Sequence, residues 1–98
     1  MAKAYWVSCY KKIADMEKWN AYAYHALPAI KEGGGVFLAQ GTAAHAVDAG
    51  IKERTIVIEF PSLAAAMATF NSAGYQAGIV ALGDGAERDL RIVEGVAS

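Results

Sequence analysis

Apolar positions change their spacing several times along the chain, and each change predicts an element. Ala4 to Tyr10 is rich in aromatic and β-branched residues and reads as a strand. Its two alternating sets, Tyr5, Val7, Cys9 and Ala4, Trp6, Ser8, Tyr10, are both largely apolar, so both faces need cover. From Met16 the spacing turns helical: Met16, Trp19, Ala23, Ala26, Leu27 and Ile30 share one stripe behind Asp15, a suitable N-cap. Pro28 within that stripe predicts a kink or restart, with Leu27 pushed toward extended backbone. Gly33, Gly34 and Gly35 then end the helix and supply a left-handed cap.

A short strand follows from Val36 to Gln40. Residues 42–53 are ambiguous, with His45 to Val47 a conceivable edge strand and Asp48-Ala49-Gly50 a turn. Arg54 to Phe60 is the clearest strand, its Ile56, Ile58 and Phe60 alternating until Pro61 stops it. Ser62 can accept from the free N–H groups of the next helix, which carries Leu63, Ala66, Met67 and Phe70. Ser72 caps a further helical piece to Leu82, Gly83-Asp84-Gly85 is a loop, and Leu90 to Val93 closes the chain as a strand.

The order βαββαβ predicts an α+β, ferredoxin-like domain spanning residues 1–98, with helices on one face of an antiparallel sheet. The first strand and Arg54–Phe60 are expected as central neighbours. Trp6, Val57 and Val93 are placed on the face the helices leave bare.

Composition sharpens this picture. The chain is 55% hydrophobic and 19% charged, apolar for its 98 residues, which points to a second buried surface and hence to a homodimer through the open sheet face. Nine basic and ten acidic residues lie interspersed, with a formal net charge of −1. No basic patch is available to neutralise phosphates, so nucleic acid is not an expected partner. No signal-peptide h-region or membrane-length apolar run occurs, and the expected location is cytoplasmic, with no membrane partner. Cys9, the single cysteine, reads as a small buried hydrophobe.

Glu59-Phe60-Pro61-Ser62 after a strand, followed by Tyr75-Gln76, resembles the small domains grouped as domain of unknown function 1330 (DUF1330). Tyr22, Gly34-Gly35 before Val36-Phe37-Leu38, and Val93-Glu94-Gly95 extend the likeness over nearly the whole chain. The resemblance implies a dimeric α/β barrel, a superfamily that includes antibiotic-synthesis monooxygenases and muconolactone-isomerase-like enzymes. Many relatives carry an arginine after Tyr75-Gln76, whereas Gly78 to Leu82 has none.

Five residues are candidates for a ligand site between sheet and first helix. His25 lies three residues after Tyr22, so the two are neighbours on the helix surface. His25 could be a general base with Tyr22 orienting a substrate, or a histidine at the helix edge or dimer seam. Glu59 alternates away from Ile58 and Phe60, which gives either a cross-interface pair, with Arg54, Arg88 or Arg91 as conceivable partners, or a carboxyl in a pocket. Arg54 could grip a substrate carboxylate with both prongs of its guanidinium, or be a solvated strand-end charge. Tyr75 projects into a cleft or plugs the core. The expected ligand is small and apolar or aromatic, and the chemistry considered is cofactor-independent oxygenation or proton transfer. A non-catalytic interaction module is the other reading. No HxH, HxxxH, CxxC, GxGxxG or GK[ST] spacing occurs, so no metal or cofactor is expected.

Overall fold

The computed structural model describes residues 2–97. Along the chain run β1 (Ala4–Ile13), α1 (Met16–Glu32), β2 (Val36–Thr42), β3 (Arg54–Phe60), α2 (Leu63–Phe70), α3 (Ala73–Leu82) and β4 (Ala86–Glu94). The strands form one antiparallel sheet in the order β2-β3-β1-β4, so β1 and β3 are central as predicted, and the fold is ferredoxin-like α+β.

Helix starts follow the expected chemistry. Asp15 Oδ1 accepts from Lys18 N at 3.1 Å, Ser62 Oγ from Ala65 N at 3.0 Å and Ser72 Oγ from Tyr75 N at 3.2 Å, each satisfying a donor that the first turn leaves free. Gly34 takes φ 92° after α1, the backbone that only glycine adopts without strain. The helix runs through Pro28 without restarting. The bond that Pro28 cannot make would go to the carbonyl of Tyr24, a residue on the exposed side of α1, where water can take its place.

Register decides which face is buried. Trp6 pairs with Ile58 on one side and Ile92 on the other, and Ala4, Trp6, Ser8 and Tyr10 point at the helices with Ile56, Ile58 and Phe60. Trp6 is therefore a correction: it is a core residue at 1% exposure and does not share the outer face with Val57 and Val93. The first strand is apolar on both sides, so alternation by itself could not orient it. Trp6 packs against Phe60 and edge-on against Tyr75, with ring centroids 5.1 and 4.9 Å apart. Around it the core closes with Tyr10, Tyr22, Ala26, Ile30, Ala66 and Leu82.

Other expectations shift with tertiary packing. Leu63 and Met67 are exposed, and α2 buries Ala66 and Thr69 instead. The reason is proximity: a Cβ on Gly33 would stand 1.8 Å from Thr69 Oγ1, so the end of α1 sits directly on α2. Gly78 lets α3 approach α1 in the same way, since a Cβ there would lie 3.2 Å from the Tyr22 carbonyl. Cys9 is exposed on the outer face of β1. No strand forms between Thr42 and Arg54, where Ala43 N and the Glu53 carbonyl, 3.1 Å apart, close the loop. Among the described residues no helix is long and apolar enough to cross a membrane.

Candidate functional site

Between the sheet and α1 lies a cavity of about 40 Å³, walled mainly by apolar and aromatic side chains from Trp6, Tyr10, Trp19, Ala26, Phe37 and Ile58. By the volume one water needs, that is room for about three waters. Two of its polar lining residues, Tyr22 and Arg88, belong to a cluster of three side chains that Tyr75 completes from behind the wall. The Tyr22 hydroxyl on α1 and the Tyr75 hydroxyl on α3 are 2.9 Å apart. Arg88 on β4 donates through Nη1 to Tyr22 and through Nη2 to Tyr75, both at 2.9 Å.

Strand alternation places Arg88 there. It faces Tyr10 across β1 and follows Ala86 in the set that continues through Leu90 and Ile92, so it points inward with them. The guanidinium lies over the rings of Tyr22 and Tyr10, at 4.9 and 5.9 Å from their centroids. Among the described residues no carboxylate pairs with it; the ion pairs are Lys3–Glu59, Lys18–Asp84 and Arg91–Asp89.

Proton accounting shows what this cluster offers. Each hydroxyl has one O–H and two lone pairs. Both accept from Arg88, and one donates to the other. The second O–H is left over, with no acceptor among the described residues. Tyr10 Oη, Ser8 Oγ, Trp6 Nε1 and Trp19 Nε1 are also buried without a partner. Burial, reinforced by the adjoining Tyr75 and opposed by Arg88, pushes the Tyr22 phenol well above its ordinary value, so it stays protonated and acts as a donor. Burial works against the Arg88 cation, but the hydroxyls of Tyr22, Tyr75 and Tyr10 outweigh it and hold the charge in place. The arrangement is a cationic, hydrogen-donating end to an aromatic chamber, suited to a carboxylate, phenolate or enolate.

Of the five residues singled out from sequence, the structure brings together Tyr22 and Tyr75. Arg54 stacks on Trp19, with its guanidinium carbon 5.0 Å from the ring centroid, and is not among the residues that line the cavity. His25 points elsewhere. It contacts the Tyr24 ring at 5.4 Å and lines a separate groove of about 490 Å³ between α1 and the α2–α3 segment, with Glu32, Thr69 and Ser72. Glu59 is on the outer sheet face, accepting from Tyr5 Oη at 3.1 Å and from Lys3 Nζ at 3.3 Å, and meets none of the arginines proposed for it. Arg88 is the residue that sequence reasoning missed as a site member. The period-two step back from Ile92 and Leu90 was the available signal. A cation does stand beside Tyr75, but it comes from β4 rather than from α3.

The DUF1330 model, described as a domain of unknown function, matches residues 3–96. The chain belongs to that family. No curated protein matches this DUF1330 chain by sequence. Solved structures do match in fold. A protein of unknown function from Rhodopseudomonas palustris is similar at TM-score 0.75 and 14% identity, covering 99% of this chain and 85% of that one. SnoaB, a cofactor-independent oxygenase from Streptomyces nogalater, is similar at TM-score 0.64 and 8% identity, covering 100% and 97%. An antibiotic biosynthesis monooxygenase is similar at TM-score 0.56 and 18% identity, covering 100% and 99%. At these identities the likeness establishes the fold and leaves the chemistry to the site.

Proposed function

We propose that this DUF1330 domain is a homodimer in which each subunit binds a small, apolar, acidic compound between sheet and α1, its anionic group held by Arg88, Tyr22 and Tyr75. The observation that carries this reading is the unpaired guanidinium. A partly buried cation whose neighbours are hydroxyls and aromatic faces is stabilised strongly by an incoming anion. The apolar walls around it suit a ring or unsaturated chain once they move apart, since the chamber as it stands has room for about three waters.

The dimer rests on the outer face of the sheet. Val7 lies opposite Val57, and in the next row Val36 and Val93, both more than half exposed, flank the Glu59–Tyr5 pair. Sheet-to-sheet packing of two copies covers that strip. Light scattering is expected to give twice the 10.3 kDa chain mass, and a monomeric mass would remove this part of the proposal.

A second reading is favoured by the leftover O–H. A donor fixed beside a cation stabilises the conjugate base of an enolisable or phenolic substrate, the electron-rich form that isomerises by proton return or reacts with dioxygen. The oxygenase among the structural relatives supports that class of chemistry. The residues involved are then Tyr22, Tyr75 and Arg88, with His25 outside the chamber.

A thermal-shift screen of small aromatic acids and lactones tests the binding. Stabilisation by acids, lost in Arg88→Gln and kept in His25→Ala, supports the site. Stabilisation by no compound leaves the interaction-module reading. For the catalytic reading, dioxygen uptake and solvent-deuterium exchange at the acidic carbon are measured on any compound that binds.

A further inference from the structure

The walls of the chamber are not equally firm. Its floor, formed by Trp6, Ser8, Tyr10, Ile56 and Ile58, is buried on the two central strands. On the β4 side Arg88 is tied to α1 and α3 through Tyr22 and Tyr75. What remains is the seam between α1 and the edge strand β2. Trp19, Ala23 and Leu27, spaced four apart on one stripe of α1, line it from the helix. Phe37 and Gln40 line it from the strand, because the register shift between Phe37 and Ala39 resets the alternation and sets them opposite Ile58 and Ile56. None of these five is fully buried, and Leu27 and Gln40 are exposed.

Within that seam Trp19 is held by opposing interactions. Its side chain lines the chamber, while the Arg54 guanidinium, which does not, lies 5.0 Å from the ring centroid. Tyr10 meets the same ring edge-on at 6.5 Å. Both contacts hold the ring where it is. Against them, Nε1 is buried with no acceptor among the described residues. An indole N–H can only donate, and its lost hydration is recovered once the ring turns toward water. The opposing contributions are of similar size, so two positions of the ring lie close in free energy. Trp6 provides an internal reference. Its Nε1 is unmatched too, but Phe60, Phe70 and Tyr75 enclose its ring and leave it no such exit.

We infer that Trp19 is the gate of the chamber: its ring swings out of the α1–β2 seam to admit the ligand, and Arg54 is the latch that holds it closed. This rests on the binding site proposed above and adds its way in. A chamber with room for about three waters admits a ring only if a wall moves, and Trp19 is the largest side chain on the seam. The two arginines act separately, Arg88 on the ligand and Arg54 on the gate.

Solvent exchange of the two indole N–H groups, followed by NMR on isotope-labelled protein, reads the gate without a ligand, and Trp19→Phe assigns the two signals. Arg54→Gln is expected to speed exchange at Trp19 about two- to ten-fold, the population change released by losing one cation–π contact, and to leave Trp6 unchanged. Benzoate is the ligand probe, with association followed by stopped flow. Its binding should shift the Trp19 signal, depend on Arg88, and become at least about five-fold faster in Trp19→Ala, where no ring has to move first. The Arg54→Gln measurement stands by itself should Trp19→Ala fail to fold. Trp19 exchange unmoved by Arg54→Gln, or accelerated equally at both indoles, overturns the gate. So does benzoate association unchanged in Trp19→Ala while Arg88→Gln still weakens binding, a result that keeps the site. Failure of benzoate to bind, or binding indifferent to Arg88→Gln, overturns the site and the gate together.

Discussion

Two tyrosine clusters lie on opposite faces of the same sheet, and they differ in the sign of the charge they surround. On the outer face Tyr5 donates to Glu59, and Lys3 completes the pair. An anion there has both a cation and a phenol, and solvent reaches it. On the helix face Tyr22 and Tyr75 surround Arg88, a cation with hydroxyls and rings but no anion. The outer cluster is complete as it stands. The inner one has a charge and an O–H to spare, and its shelter from water makes that deficit matter. A polar group marks a site less by being polar than by lacking what would satisfy it.

Substitutions break this comparison in order of size. Tyr75→Ala should be the most damaging, because a fully buried ring that packs on Trp6, Phe70 and Tyr22 is removed along with an Arg88 partner. A loss of about 3–5 kcal/mol in urea unfolding is expected, enough to leave a domain of this size marginal. Gly33→Ala comes next, at about 1–3 kcal/mol, since its methyl would collide with the Thr69 side chain and push the end of α1 off α2.

The buried Tyr22 phenol also makes the comparison testable by pH. Tyr22 is held protonated in the folded protein above the ordinary value of 10.0. A raised value contributes stability that is fully present below pH 10 and is lost as the pH climbs toward the folded value. Melting temperature should therefore fall once the pH exceeds about 10, the ordinary phenol value. Tyr22→Phe should flatten that decline. A decline unchanged by Tyr22→Phe would show that the hydroxyl is not sheltered. In the isolated protomer Glu59→Gln should be the mildest, within about 1 kcal/mol, as expected for a pair whose lysine is mostly exposed. In the proposed sheet-to-sheet dimer the pair is covered, and a loss that grows with protein concentration is the signature of that assembly.

Much of the fold was legible because local chemistry and long-range order agree. Pro61 after Phe60 and the Ser62 and Ser72 caps fall where their backbone chemistry puts them, and the βαββαβ order led to the observed sheet. Legibility failed where two patterns were degenerate. Alternation in β1 could not choose between a face with Tyr5 and Val7 and a face with Trp6 and Tyr10. Packing on Phe60 and Tyr75 chose. The C-terminal end of that strand and the start of β4 were drawn short, because Lys11, Lys12, Glu87, Arg88 and Asp89 read as loop when taken one at a time. That shortening hid Arg88. Tyr22 and Tyr75 were found as single candidates, yet their meeting depends on α3 lying close along α1, a contact made by the absence of side chains at Gly74 and Gly78. His25 neighbours Tyr22 in sequence spacing but sits around the helix from it, on the groove side.

The last ladder contact has an architectural consequence. Gly95 N donates to the Lys3 carbonyl at 2.6 Å, so the two ends of the sheet-forming chain lie side by side across β1 and β4. A short tether could join them, and new termini opened in the 43–53 connection would leave all four strands and all three helices uncut. Rearranged in that way, the molecule would start with the central strand β3 and finish with the edge strand β2.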